Sequence, residues 1–235
     1  MLVTLPMLGQ SVYADEEKPA ADDSAAYFDL ASDLCMAAYM KDTIRIAELL
    51  GKGADINMQK RTGGTALMNA CYAGSEETVK YLLAKGADVS IQDNGKKNAL
   101  MWAAGSDGFK AIVPMLLEKG ADATIVADEG MTPMFQLVTN IESRTQHPVE
   151  DIVATAELLV KAGAKIDQGI GDNFTPLMYV SREGNIELVK FLLGKDADVT
   201  VVTDSTYDAG GRTAISLAEK AGHTEVVKLL KAAIK

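Results

Sequence analysis

Few side chains in this sequence are of a type and spacing that could do chemistry. Cys35 and Cys71 are its two thiols, and His147 and His223 its two imidazoles. His147 stands near Glu150 and Asp151, a minimal donor set for a metal, but two carboxylates at the start of a helix are better read as an acidic cap. Asp204-x-Thr206-x-Asp208 imitates the opening of a calcium loop. It carries Ala209 where the sharp turn needs Gly and Ile215 where the loop needs a bidentate Glu. Asn173-Phe174-Thr175 has the form of a glycosylation acceptor, although Thr175 is already explained as a helix cap. No phosphate-binding Gly-x-x-x-x-Gly-Lys-Ser/Thr loop, no Gly-x-Ser-x-Gly elbow and no His-Glu-x-x-His helix occurs. The expectation is a chain with no catalytic residue, no resident metal and no cofactor.

The composition narrows the classes further. Hydrophobic residues make up 48% of the 235 and charged residues 24%, a balance that supports a packed core. Lys+Arg 23 against Asp+Glu 33 leaves a formal charge of −10, which excludes the broad positive field of a nucleic-acid binder and suits a basic partner protein. No stretch approaches the roughly 18 apolar residues of a membrane span. Leu2–Leu8 is a short apolar run followed by small residues at Val12 and Ala14, the spacing a signal peptidase accepts, although no basic residue precedes it. Residues 1–14 therefore read as the remnant of a signal peptide, and the chain as periplasmic or secreted. The alternative is an apolar N-terminus on a cytoplasmic protein. Residues 15–29 read as a polar tether (Glu16–Ala26) and the start of an N-terminal cap.

The elements that position everything else come from internal repetition. Gly53-Ala54-Asp55 recurs at Gly86, Gly120, Gly163 and Asp196, in steps of 33, 34, 43 and 33. A second series, Thr65-Ala66-Leu67-Met68, recurs at Asn98, Thr132, Thr175 and Thr213. Comparing the two puts 10 extra residues inside the fourth unit, at Asn140–Asp151, and 5 in the connection Thr203–Arg212. Within a unit, Leu67, Ala70 and Cys71 mark one helical face, and Val79, Leu82 and Leu83 mark that of a second helix over Glu76–Lys85. Thr65 caps the first helix, and Gly86 supplies a left-handed residue after the second. One period back from Cys71 is position 38, almost a helical turn from Cys35. Two thiols on helices about 8–10 Å apart and out of step do not reach the about 7 Å that a disulfide needs, so both are expected free and buried.

The Thr-Pro-Leu stretch, the Leu-Leu-x-x-Gly-Ala-Asp stretch and the 33-residue step resemble ankyrin repeats, and within them the exported, periplasmic ankyrin-repeat proteins of bacteria. Six units fit, at about 30–56, 57–89, 90–123, 124–166, 167–199 and 200–235. The implied fold is an all-α solenoid of stacked helix-turn-helix repeats with hairpin fingers. The family's usual His in Thr-Pro-Leu-His is replaced by Cys35, Met68, Met101, Phe135, Met178 and Ser216, which predicts repeats held by burial more than by side-chain hydrogen bonds. His223, after Gly222, falls on the family's Gly-His turn.

The resemblance also implies a use: a non-enzymatic protein–protein interaction scaffold, expected to be a monomer, that binds a partner protein on its concave face. By register that face carries Met36, Asn69, Trp102, Gln136 and Tyr179 at the fifth position of the first helices, and Tyr39, Tyr72 and Arg182 at the eighth. The finger tips add Lys96, Lys97, Met131, Phe174 and Tyr207. Trp, Tyr and Arg are the residues that most often anchor interfaces, and Trp102 and Tyr179 are expected to face solvent. Two roles compete: adaptor or protective partner of another exported protein, and immunity or inhibitor protein blocking a toxin or enzyme. An enzyme built on the 140–151 insertion or the 203–212 finger is the remote alternative, and self-association through the end repeats a third.

Overall fold

A computed structural model describes residues 23–139, 147–204 and 211–234. The signal-peptide reading, most of the tether, the core of the 140–151 insertion, Tyr207 and most of the calcium-like motif lie outside the described residues.

Twelve α-helices follow in pairs among the described residues. They are α1 (Asp23–Tyr39), α2 (Thr43–Gly51), α3 (Ala66–Tyr72), α4 (Glu76–Ala84), α5 (Ala99–Ala104), α6 (Phe109–Glu118), α7 (Pro133–Thr139), α8 (Val149–Lys161), α9 (Pro176–Arg182), α10 (Ile186–Leu193), α11 (Ala214–Ala221) and α12 (Thr224–Ala233). Local chemistry starts the first helix of every pair after the first. The side chains of Thr65, Asn98, Thr132, Thr175 and Thr213 each accept a hydrogen bond from the backbone N–H three residues on, which satisfies a donor the helix cannot. Asp42, Ser75 and Asn185 do the same for the second helices α2, α4 and α10.

Helices this short have no independent stability and depend on their neighbours. The first helices form one row, α1 on α3, α3 on α5, α5 on α7, α7 on α9 and α9 on α11. The helices α4, α6, α8, α10 and α12 form a second row behind it. Small residues at Ala38, Ala70, Ala103, Ala104 and Ala218 are buried where the first row closes up. At the position where the family carries His, Cys35, Met68, Met101, Phe135 and Met178 are all buried, whereas Ser216 is exposed and serves a capping box with Thr213.

Hydrogen bonds between units run instead along the fingers. Each fingertip N–H donates to a carbonyl of the finger before it: Asn94 to Thr62 (3.1 Å), Asp128 to Gly95 (3.1 Å), Gly171 to Glu129 (2.9 Å) and Asp204 to Asp172 (2.8 Å). Gly63 shows how tightly the fingers stack. Its φ is +78°, and a Cβ there would lie 2.6 Å from the Asn94 nitrogen. Sequence periodicity does not report these bonds, because any residue but proline can donate them.

Two features depart from the sequence reading. Residues 23–26, expected to close the polar tether, are already helical. Tyr27 explains the extension: it packs against the core, and its hydroxyl accepts the Gln59 N–H at 3.3 Å. Met131 and Phe174, expected as wet fingertips, are half-buried and packed against the core. No described helix is long and apolar enough to cross a membrane.

Candidate functional site

The exposed face of the first-helix row forms a groove across α1, α3 and α5. Its volume is about 920 Å³. Three aromatic rings step along it. Tyr39 stacks on Tyr72 with centroids 6.0 Å apart, and Tyr72 meets Trp102 edge-on at 5.5 Å. Tyr39 is 44% exposed, Tyr72 53% and Met36 57%. Rings this open on a folded scaffold present apolar area at small entropic cost. Trp102 is half-buried and oriented: its Nε1–H donates to the Asp93 carboxylate at 3.1 Å, and the Lys97 ammonium sits 5.0 Å from its ring centroid.

Six of the predicted residues, Met36, Tyr39, Asn69, Tyr72, Lys97 and Trp102, thus line one groove. Lys96 does not; it points from the fingertip and pairs with Asp128 at 2.9 Å. Gln136 is half-buried and lies over Gly105. Met131, Phe174 and Arg182 line a separate recess of about 320 Å³, with Arg182 and Arg212 both over the Phe174 ring and Arg212 paired with Asp172 at 2.8 Å. Tyr207 is outside the described residues.

Tyr179 must be corrected. It is 7% exposed, packed on Phe135 with centroids 6.1 Å apart, covered by the Arg182 guanidinium at 5.0 Å, and its hydroxyl donates to the Thr139 carbonyl at 3.4 Å. Register alone placed it on the surface, but the side chains of the neighbouring units close over it. Tyr179→Ala is therefore expected to destabilise the chain by about 2 kcal/mol or more, and Tyr72→Ala by no more than about 1 kcal/mol. Thermal melts of the two variants side by side check this; equal shifts would refute it.

Sequence reasoning missed Lys60 and Asp93 in the groove, and Met40, an exposed residue one helical turn beyond Met36. The finger repeat gave no sign of Lys60, whose role depends on where the fingertip folds back. The Lys60 ammonium donates to the Asn69 side-chain carbonyl at 3.3 Å.

The two thiols are not joined to each other. Both are free and buried. Cys35, on the groove floor, donates to the Gly64 carbonyl at 3.4 Å, and burial pushes its pKa up to about 11 despite the opposing pull of Lys60. Burial pushes Cys71 up as well. Glu150 and Asp151 fall in the first turn of α8, Asp151 pairs with Lys110 at 2.8 Å, and the His147 ring lies edge-on to Phe109 at 5.0 Å. Among the described residues no group of three or more His, Cys, Asp or Glu side chains is placed to hold a metal. His223 caps the approach to α12: its Nε2 lies 3.0 Å from the Arg182 carbonyl, and its ring fills the space beside Gly184.

Comparison with known proteins agrees with this architecture. Residues 34–140 and 149–235 match a family described as "Ankyrin repeats (3 copies)". Protein lin-12 of Caenorhabditis elegans is 32% identical over 158 residues, 63% of this chain. The ankyrin repeat and KH domain-containing protein mask-1 of the same organism is 28% identical over 226 residues, 83% of this chain. The matched parts are 11% and 8% of those relatives' own lengths. Among solved structures, a chain from the complex of a predatory endopeptidase with an immunity protein, from Bdellovibrio bacteriovorus, superposes with a TM-score of 0.64 at 28% identity, covering 85% of this chain and 97% of that one.

Proposed function

Because the chain belongs to the ankyrin-repeat family, we propose that it is a protein-binding scaffold rather than a catalyst, and that its partner docks on the concave face across α1, α3 and α5. The observation that carries this is the open aromatic ladder Tyr39–Tyr72–Trp102. An exposed, contiguous apolar strip costs solubility unless a partner covers it. The scaffold is ordered by its own stacking, so little freedom is lost on binding. Export belongs to the same reading and rests on the Leu2–Leu8 run with Val12 and Ala14 behind it.

A photo-crosslinking residue in place of Tyr72, expressed in the native cells, tests the docking face. The expected result is a discrete protein adduct from position 72 and none from the same residue at Lys80, exposed on α4 in the other helix row. Equal adducts from both, or an adduct from Lys80 alone, would overturn it.

A second reading has its own support. The Bdellovibrio likeness covers nearly the whole of a chain from an endopeptidase–immunity protein complex. On that reading the adduct from position 72 is an enzyme, and the purified chain inhibits it. An adduct with a non-enzyme favours the adaptor role.

A further inference from the structure

The groove's charges do not match the chain's. The protein carries a formal charge of −10, yet the aromatic ladder is flanked by Lys60, Arg61 and Lys97. Three other cations of the fingers and the first-helix row hold carboxylates: Lys96 has Asp128, Arg182 has Glu183 and Arg212 has Asp172. Among the described residues, none of Lys60, Arg61 and Lys97 is in an ion pair. Each is held by a neutral group: Lys60 by the Asn69 amide at 3.3 Å, Arg61 by the Phe28 ring at 4.8 Å and Lys97 by the Trp102 ring at 5.0 Å. The one carboxylate lining the groove, Asp93, is already engaged. It accepts from Trp102 Nε1 (3.1 Å) and from the backbone N–H groups of Gly95 (2.9 Å) and Lys97 (3.0 Å). Three oriented cations with no anionic partner surround an apolar ladder on a protein rich in carboxylates.

Resting on the docking face proposed above, we infer that the groove receives an extended acidic segment of the partner protein. Its apolar side chains lie on the Tyr39–Tyr72–Trp102 ladder, and its carboxylates meet Lys60, Arg61 and Lys97. Ladder steps of 6.0 and 5.5 Å are spanned by three to four residues of extended chain, at about 3.3 Å each. Charge-assisted hydrogen bonds from Lys and Arg, next to aromatic faces and partly out of water, supply both strength and choice of sign. The −10 of the whole chain opposes an acidic partner at long range, but salt screens that repulsion beyond about 8 Å, whereas contacts inside the groove are much less screened.

Trp102 is the chain's one tryptophan, so tryptophan emission reads this groove alone. The experiment titrates the full chain with synthetic peptides in matched acidic, neutral and basic sets built around the same leucine–proline core. Acidic peptides should change the emission saturably, with an affinity that weakens as salt is raised. The double variant Lys60→Glu/Lys97→Glu should lose about tenfold or more in affinity, and Lys228→Glu, an exposed residue of α12, should lose none. Should the double reversal fail to fold, Lys60→Gln/Lys97→Gln is read instead, with the same expected direction. Three outcomes overturn the inference: basic or neutral peptides bind as well as acidic ones, no acidic peptide changes the emission, or an oligonucleotide of equal charge competes as well as the peptides do. A position-72 adduct obtained alongside any of these would leave the docking face standing and remove only the sign of its occupant.

Discussion

Deleting residues 200–235 should leave a chain that aggregates or melts more than about 10 °C lower, over a broadened transition. These residues carry α11 and α12, which cover α9 and α10 respectively. In α9 the first six residues, Pro176 through Ser181, are all buried, so the helix keeps no face suited to water once its neighbour is gone. Leu217, Val226 and Leu230 are buried in the segment removed. Each contributes about 1.5–3 kcal/mol on burial, so the end interface is worth on the order of 5 kcal/mol or more. The polar ties would go too. His223 leaves the Arg182 carbonyl, Arg212 leaves Asp172, and Asp204 no longer donates to the Asp172 carbonyl. The terminal pair is fit to face water because Glu219, Lys220 and Lys231 are exposed, with Lys231 and Glu219 paired at 2.8 Å. Size-exclusion chromatography and a thermal melt of the truncation decide the matter. A monodisperse product with a sharp transition near that of the full chain would show that the last pair does not cap the stack.

The parts of this molecule legible in the sequence are those that repeat. The Gly-Ala-Asp step and the Thr or Asn cap recur because each unit solves the same local problem, ending one helix and starting the next. What repeats poorly is what depends on a neighbour. Tyr179 occupies the same register as Trp102, yet one is buried and the other half-open, because Phe135, Thr139 and Arg182 close around the first. Lys96 and Lys97 are adjacent in sequence, yet one reaches Asp128 and the other turns onto Trp102. The turn responsible, with Lys96 at φ +61°, is a conformation no residue count reveals. The net charge of −10 suits a basic partner because it sums the whole surface, whereas the acidic segment proposed above is argued from the cations of one groove. The helix before position 27 was hidden by its polar composition. Its anchor is Tyr27, which packs against the core and accepts the N–H of the distant Gln59.

Phe135→Ala should be the most damaging single substitution outside the glycine turns. The ring is fully buried in α7, which sits between α5 and α9 in the first-helix row, and it packs against Tyr179 of the next unit. Removing it takes away the packing of a large aromatic and leaves a cavity in the middle of the array, at about 3–5 kcal/mol. For a chain of this size that corresponds to a fall in melting temperature of about 10 °C. Phe135 stands at the position where the family usually places a hydrogen-bonding His. Here Phe135, Met101 and Met178 fill that position with buried apolar side chains, so at this layer packing replaces the side-chain hydrogen bond and the polar ties between units lie out along the fingers. Stability in a stacked array is close to a sum of units and interfaces, so weakening the central one should also divide the unfolding into two steps, with the Trp102 half melting apart from the α9–α12 half. Phe135→Leu keeps most of the volume and should cost less than about 1.5 kcal/mol, with a single transition retained. Calorimetry read against Trp102 emission tests both points. A Phe135→Ala melt within about 3 °C of the parent would mean that the fingertip hydrogen bonds, rather than the buried fourth-position side chains, hold the units together.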